Sequence, residues 1–388
     1  MKVSSRMERF GDSIFTVLKN RRSALEAAGR RVIDLSIGAP NIPPAPHILQ
    51  ALTEAAAQPE NYIYAITDLP DLLDSVSAWY ARRYGVCLDP TTQITSVLGS
   101  QEGLSHIGLA LLDEGDMVLL PDPCYPVFAD GTALAGAELC YMPLREENGY
   151  LIDFSEIPES AAQRAKLMIV SYPNNPTCAL APENFYDELI AFARKYDIMV
   201  IHDNAYSELV FDAPPCGSIL SHPGAMDLCV EFNSLSKTYG LAGARIGFCA
   251  GNPQMVSALK TLKSNLDFGV FLPVQYAAIA ALNGDQTCVA QTRDAYRHRR
   301  DFLIAGLKSL GWDITPPPGT MFMWAKIPEK FTDSEDCCLQ LLDRAGVLVT
   351  PGSAFGPSGE GYVRMALVRS DEEMQSALDA LRESEVLK

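Results

Sequence analysis

Four polar clusters in this chain each follow a short apolar run, and their residue types could do chemistry together. Gly99-Ser100-Gln101 follows residues 94–98, and Tyr172-Pro173-Asn174-Asn175-Pro176 follows residues 167–171. Asp203-Asn204-Ala205-Tyr206 follows residues 198–202, and Asn233-Ser234-Leu235-Ser236-Lys237 follows residues 228–232. Arg245 comes eight residues after Lys237. Taken singly, each has an ordinary explanation. A Gly-Ser pair caps a helix, Asn-Pro marks a turn, and a strand-end Asp or a lone Lys faces water. A coincidence at four strand ends is different, because open α/β sheets bind ligands at the carboxyl ends of their strands.

The groups select a ligand. Gly99 and Ser100 at a helix start offer free N–H groups to an anion. The hydroxyls of Ser234 and Ser236 and the fixed cation of Arg245 suit a phosphate. Asp203 could hold a proton on a ring nitrogen. Asn175 and the Tyr206 phenol could donate to a ring oxygen, and Lys237 could form an imine with an aldehyde. A phosphate, a protonated ring nitrogen, a ring hydroxyl and an aldehyde together describe pyridoxal 5′-phosphate. Tyr125, after a further strand, could stack on the ring or serve as a core aromatic.

These groups must be positioned by a fold. The 388 residues correspond to two or three domains at most. With 48% hydrophobic and 20% charged residues, the chain has the composition of an ordinary globular protein, not of a disordered or coiled-coil one. Its 31 basic and 48 acidic residues leave a net charge of −17, which repels nucleic acid and anionic lipid. No apolar run is long enough to span a bilayer, and the first residues lack a signal-peptide core, so a cytoplasmic protein is expected. The ten cysteines include no CxxC pair and read as reduced core thiols. The five histidines lack metal-ligand spacing, so no metal is expected.

Apolar runs at 94–98, 117–120, 167–171, 198–202, 228–232 and 246–250 have the length of buried strands. Helical patterns such as 101–112 and 182–196, the latter with Pro182 as its first helical residue, lie between them. This alternation predicts an α/β fold with a mainly parallel sheet covered on both faces. Val289, Tyr296, Leu303 and Leu310 predict one long helix ending near Gly311. Shorter strands at 321–326, 347–350 and 362–367, then a helix from Ser370, predict a smaller α+β domain. The expected division is a large domain over 47–285 and a small one formed by 1–46 with 286–388.

The run SLSKTYGLAGARIGF (234–248) resembles the lysine signature of the fold-type-I, class I/II pyridoxal-phosphate aminotransferases. PNNPT (173–177), DNAY (203–206) and GSQEG (99–103) match other blocks of that family, and SIGAPN and GEGYVRMAL extend the resemblance over nearly the whole chain. PDPCYPVF, MPLREENGYL, HDNAYSE and KSNLDFGVF are most similar to the bacterial LL-diaminopimelate aminotransferase branch. The resemblance implies that Lys237 carries the cofactor as an imine and moves a proton at the substrate α-carbon. It implies that Asp203 meets the ring nitrogen, that Asn175 and Tyr206 bind the ring oxygen, and that Tyr125 stacks on the ring. Ser100, Ser234, Ser236 and Arg245 would bind the phosphate, with Gln101 at the same helix start. Arg364 beside Gly38 would take the substrate carboxylate, with Asn175 close by.

A homodimer with shared sites is implied, Tyr64 and Asn265 reaching in from the partner chain. The sequence departs from the branch at Gln101, where a lysine is usual, and at Ser13, where a tyrosine is. It also carries Cys178 for a glycine, Ala244 for a tryptophan and Leu69 for a glycine. These departures leave the cofactor set intact and open the choice of substrate. The expected reaction moves an amino group between an L-amino acid and a 2-oxo acid in two half-reactions. The alternatives are an aspartate-, aromatic- or alanine-type aminotransferase, a carbon–sulfur β-lyase on the same fold, and a non-catalytic cofactor-binding regulator.

Overall fold

The computed structural model describes residues 3–4, 6–7, 14–213 and 216–388; Ser13 lies outside them. Its strands are β1 (Ile33–Asp34), β2 (Ile94–Val97), β3 (Met117–Asp122), β4 (Glu138–Pro143), β5 (Ala165–Ser171) and β6 (Met199–Asp203). They continue as β7 (Cys229–Ser234), β8 (Gly247–Gly251), β9 (Phe322–Lys326), β10 (Val347–Leu348), β11 (Thr350–Pro351) and β12 (Tyr362–Ala366). Seven of them form one sheet in the order β2-β8-β7-β6-β5-β3-β4. Every pairing in it is parallel except those of β8, which runs against both β2 and β7.

Alternation along β5 explains the layering. Leu167 and Ile169 pack to one side with Leu104, Phe128 and Leu259, from the helices Ser100–Leu111, Val127–Leu134 and Pro253–Leu266. Met168 and Val170 pack to the other with Val76, Tyr186, Leu189 and Ala277, from Pro70–Tyr84, Glu183–Tyr196 and Leu272–Asn283. Apolar side chains on both faces of a strand are what a sheet covered twice requires.

A third core gathers the beginning and the end of the chain. Leu18, Ile33 and Leu35 meet Tyr296, Leu303, Trp324, Met365 and Leu378 there. β1 pairs in parallel with β10, and β9, β12 and β11 form a small antiparallel sheet. The long helix spans Thr287–Ser309, buries Val289, Tyr296 and Leu303 as expected, and stops before Gly311 at φ +90°. The last helix, Asp371–Glu383, starts at a reciprocal capping box between Ser370 and Glu373.

Three details differ from the sequence expectation. The run 347–350 is split between two sheets, β10 pairing with β1 and β11 with β12. Strands β1 and β4 have no counterpart in the sequence expectation; β1 has only two residues, and β4 is an edge strand with only Met142 fully buried, so it lacks a continuous apolar run. Pro182 caps its helix from an extended conformation and the first helical residue is Glu183. No helix among the described residues is long and apolar enough to cross a membrane.

Candidate active site

The sheet brings the polar clusters to one rim. The carboxyl ends of β2, β5, β6 and β7 point the same way, although β8 separates β2 from β7. Because β8 is reversed, it begins at that rim, and Arg245 stands just before it. The four clusters and Arg245 therefore meet through one antiparallel strand inserted into a parallel sheet.

They surround a cavity of about 320 Å³. Ser100, Gln101, Tyr125, Asn175, Asp203 and Tyr206 line it, together with Ser234, Ser236, Lys237, Arg245, Gly38 and Arg364. Tyr64 and Asn265 do not. Tyr64 is 78% exposed on a separate loop, and Asn265 is exposed near the end of helix Pro253–Leu266.

Lys237 sits in the short helix Leu235–Thr238, capped by Ser234, whose Oγ accepts from the Ser236 N–H at 3.2 Å. Its Nζ donates to the Gly38 carbonyl at 3.2 Å. Burial, then the charges of Arg364 and Arg245, lower its pKa from 10.5 to about 8. Asp203, at the end of β6, accepts the Ala205 N–H at 3.2 Å. Burial raises its pKa to about 6, opposed by that hydrogen bond and by the charges of His202 and Lys237. Burial likewise pushes up the phenols of Tyr125 and Tyr206, so both stay protonated donors.

Arg364, on β12, enters from the small sheet. Nη1 donates to Asn175 Oδ1 at 2.8 Å and Nη2 to the Ser36 carbonyl at 3.0 Å. Its guanidinium lies 4.1 Å from the Phe322 ring centre and 4.5 Å from that of Phe355. Burial lowers its pKa to about 10, still charged at neutral pH. Its buried Nε has no hydrogen-bond partner. Among the described residues neither Asp203 nor Arg364 makes an ion pair, so the cavity has a buried anion and a buried cation, neither in direct contact with a counter-charge.

Gly99 has φ +78°, and a Cβ there would lie 2.5 Å from Arg245 Nη2. The missing side chain is what lets the guanidinium approach the start of helix Ser100–Leu111. Cys178, which stands for the usual glycine, keeps the left-handed backbone at φ +64°. Its thiol accepts from Thr320 Oγ1 at 3.2 Å and donates to the Phe322 carbonyl at 3.4 Å.

Sequence reasoning missed Ser36, Ile37, Phe322 and Phe355. The first offers only its carbonyl, and the others read as ordinary apolar positions. Gly38 and Arg364, expected side by side at the substrate carboxylate, line the same cavity; there the Gly38 carbonyl takes Lys237 and the Ser36 carbonyl takes Arg364. Elsewhere Glu102, His106 and Asp267 lie close enough to ligate a cation. The ammonium of Lys263 already occupies that cluster, 2.9 Å from Glu102 and 3.1 Å from Asp267.

The family model for aminotransferase class I and II matches residues 30–381. The LL-diaminopimelate aminotransferase of Dehalococcoides mccartyi strain 195 is 42% identical over 382 residues, 98% of each chain. That of Moorella thermoacetica is 43% identical over 383 residues, again 98% of each. Substrate-bound BacF from Bacillus subtilis superposes with a TM-score of 0.94 at 36% identity, covering 99% of this chain and 98% of BacF. A probable N-succinyldiaminopimelate aminotransferase from Thermus thermophilus gives 0.90 at 37%, covering 96% and 100%. The chain belongs to the class I and II aminotransferases: it is an enzyme, it depends on pyridoxal 5′-phosphate, and it has the α/β fold of that family.

Proposed function

We propose that this class I and II aminotransferase takes its amino group from LL-diaminopimelate and passes it to a 2-oxo acid, with Lys237 as the catalytic residue. The observation that carries the site assignment is the pair of buried groups without an ion-pair partner, Asp203 and Arg364, on a cavity that Lys237 also lines. They suit a cationic ring nitrogen and a substrate carboxylate, so the residues fit the cofactor. The identity of LL-diaminopimelate is supported by the relatives that carry that name at 41–45% identity.

Bound there, pyridoxal 5′-phosphate supplies an aldehyde and an electron-accepting ring for bond breaking at an amino acid's α-carbon. Asp203 holds the proton on the ring nitrogen. Asn175 Nδ2, free to donate while Oδ1 serves Arg364, and the Tyr206 phenol hold the ring oxygen. Tyr125 covers the ring face. Ser100 and Gln101 at a helix start, with Ser234, Ser236 and Arg245, bind the phosphate. Arg364 takes the α-carboxylate bidentately once it is drawn from Ser36. Its two phenylalanine neighbours exclude water from that contact. Lys237, with its pKa lowered, is available as the neutral amine that takes the proton from the substrate α-carbon. Gly38 orients it.

The division into a cofactor domain over 47–285 and a small domain of 1–46 with 286–388 belongs to this reading. It is supported by the third apolar core, although Cys178, Ala205 and Tyr206 also reach that core from the strand ends. A homodimer is supported by the exposed strip of Tyr62, Ile63, Tyr64 and Ile66, which meets Phe268 and Phe271 through ring contacts. Tyr64 and Asn265 then serve the partner's cavity. Free thiols throughout the ten cysteines support a cytoplasmic site of action.

The test is a panel of donors, each mixed with holoenzyme and 2-oxoglutarate, with glutamate measured. Stoichiometric glutamate, fastest from LL-diaminopimelate, is expected. Faster transfer from an aspartate, aromatic or alanine-type donor would overturn the substrate. A β-thio-substituted amino acid incubated without 2-oxoglutarate completes the panel: catalytic release of its thiol with pyruvate and ammonia would overturn transfer in favour of elimination.

A further inference from the structure

Directly behind Asp203 lies a fully buried polar network that the chemistry above does not use. Glu231, on β7, is directly opposite His202, on β6, in the parallel ladder, and both are 0% exposed. Glu231 Oε1 accepts from the Tyr80 hydroxyl at 2.8 Å and Asn233 Nδ2 at 3.1 Å. Oε2 accepts from the Ser218 hydroxyl at 2.9 Å and the Ile219 N–H at 3.2 Å. His202 Nδ1 is 3.0 Å from the same Oε2. A buried carboxyl group met by four other donors is held in its acceptor form, so Nδ1 carries a hydrogen. His202 Nε2 is 3.0 Å from the Tyr172 carbonyl, which can only accept, while the Tyr186 hydroxyl is farther away at 3.5 Å. Both ring nitrogens thus face acceptors, an arrangement that an imidazolium satisfies.

The ring is linked to three parts of the rim. It is adjacent in sequence to Asp203. Through Tyr172 it holds the start of the turn that carries Asn175. Through Glu231 it holds β7, which leads to Ser234 and Lys237. Glu231 alone, without the imidazolium, would disfavour a charged Asp203.

We propose that His202 is a positioning residue for the cofactor's ring-nitrogen partner: as a buried imidazolium clamped between Glu231 and the Tyr172 carbonyl, it keeps Asp203 ionised and aligned at the cavity. The proposal rests on the reading that Asp203 meets the ring nitrogen. The test is holoenzyme reconstituted with cofactor labelled with nitrogen-15 in its ring, observed by NMR in wild type, His202→Gln, His202→Asn and Asp203→Ala. Gln holds an N–H where Nε2 stands and Asn holds one where Nδ1 stands, so each keeps one anchor of the buried network while both lack the charge.

In both His202 variants the ring-nitrogen resonance is expected to move toward that of unprotonated pyridine. Turnover should fall about tenfold, the effect of about one pKa unit of lost charge stabilisation. If Asp203→Ala moves the resonance and neither His202 variant does, His202 has a packing role only and the proposal is overturned, whatever the variants' melting temperatures. If Asp203→Ala leaves the resonance unmoved, the underlying site reading fails instead.

Discussion

Asp203 shows how one residue can serve the loaded enzyme at the expense of the empty one. In the cofactor-free protein burial holds its pKa at about 6, above the 3.8 of an exposed aspartate. The native state binds this proton more tightly than the unfolded chain. The stabilisation is full below about pH 3.8 and is lost as pH rises through 6. Asp203→Asn should therefore stabilise the cofactor-free protein at pH 7 by about 2–3 kcal/mol and by almost nothing near pH 4. Denaturant unfolding at the two pH values checks this, and the same variant should lose transfer activity. At this scale the site was legible where chemistry needs a polar side chain at a strand end, as for Lys237, Asn175 and Arg245. It was not legible where a residue works by backbone or by packing. Ser36 contributes a carbonyl, and a phenylalanine under a guanidinium looks in sequence like any core phenylalanine. His202 stood out only for lacking metal-ligand spacing, because its partner Glu231 is distant in sequence and adjacent only in the sheet.

Elements built from continuous apolar runs are legible to within a residue or two, as for β2, β5, β6, β7 and β8. The misreadings share a cause. Strand β4 is at the edge and half-exposed, and β10 and β11 are two residues each, too short for a period to register. Which sheet such a fragment joins is decided by tertiary partners. The direction of β8 was also hidden, since a buried strand reads the same whether its neighbours run with it or against it. Its reversal is what places Arg245 at the start of helix Ser100–Leu111, beside a glycine that cannot acquire a side chain. Gly99→Ala would put a methyl group into that guanidinium and force an L-residue into φ +78°. Cofactor affinity should fall about tenfold or more, as expected for loss of a charge-assisted hydrogen bond to phosphate. Equilibrium dialysis with pyridoxal phosphate measures it, and an unchanged dissociation constant would remove Arg245 from the phosphate site.

At the scale of the molecule, the exposed residues Ile63 and Ile66, at 66% and 67%, flank Tyr64 on a surface that a lone chain leaves to water. In the homodimer proposed above, Tyr64 serves the partner's cavity, so Ile66→Asp should yield monomers in sedimentation velocity and abolish transfer. A monomeric wild type with full activity would refute the shared site. The chain also closes on itself. The Leu35 N–H bonds the Leu348 carbonyl, the Ala366 N–H bonds the Leu35 carbonyl, and the Ser36 carbonyl receives Arg364. The two sides of that last contact are 328 residues apart in sequence, and every strand of the large sheet lies between them. A nascent chain therefore has Asp203 and Lys237 in hand well before residue 364 emerges to meet residue 36, and this lip of the cavity can close only after the whole large sheet has been made.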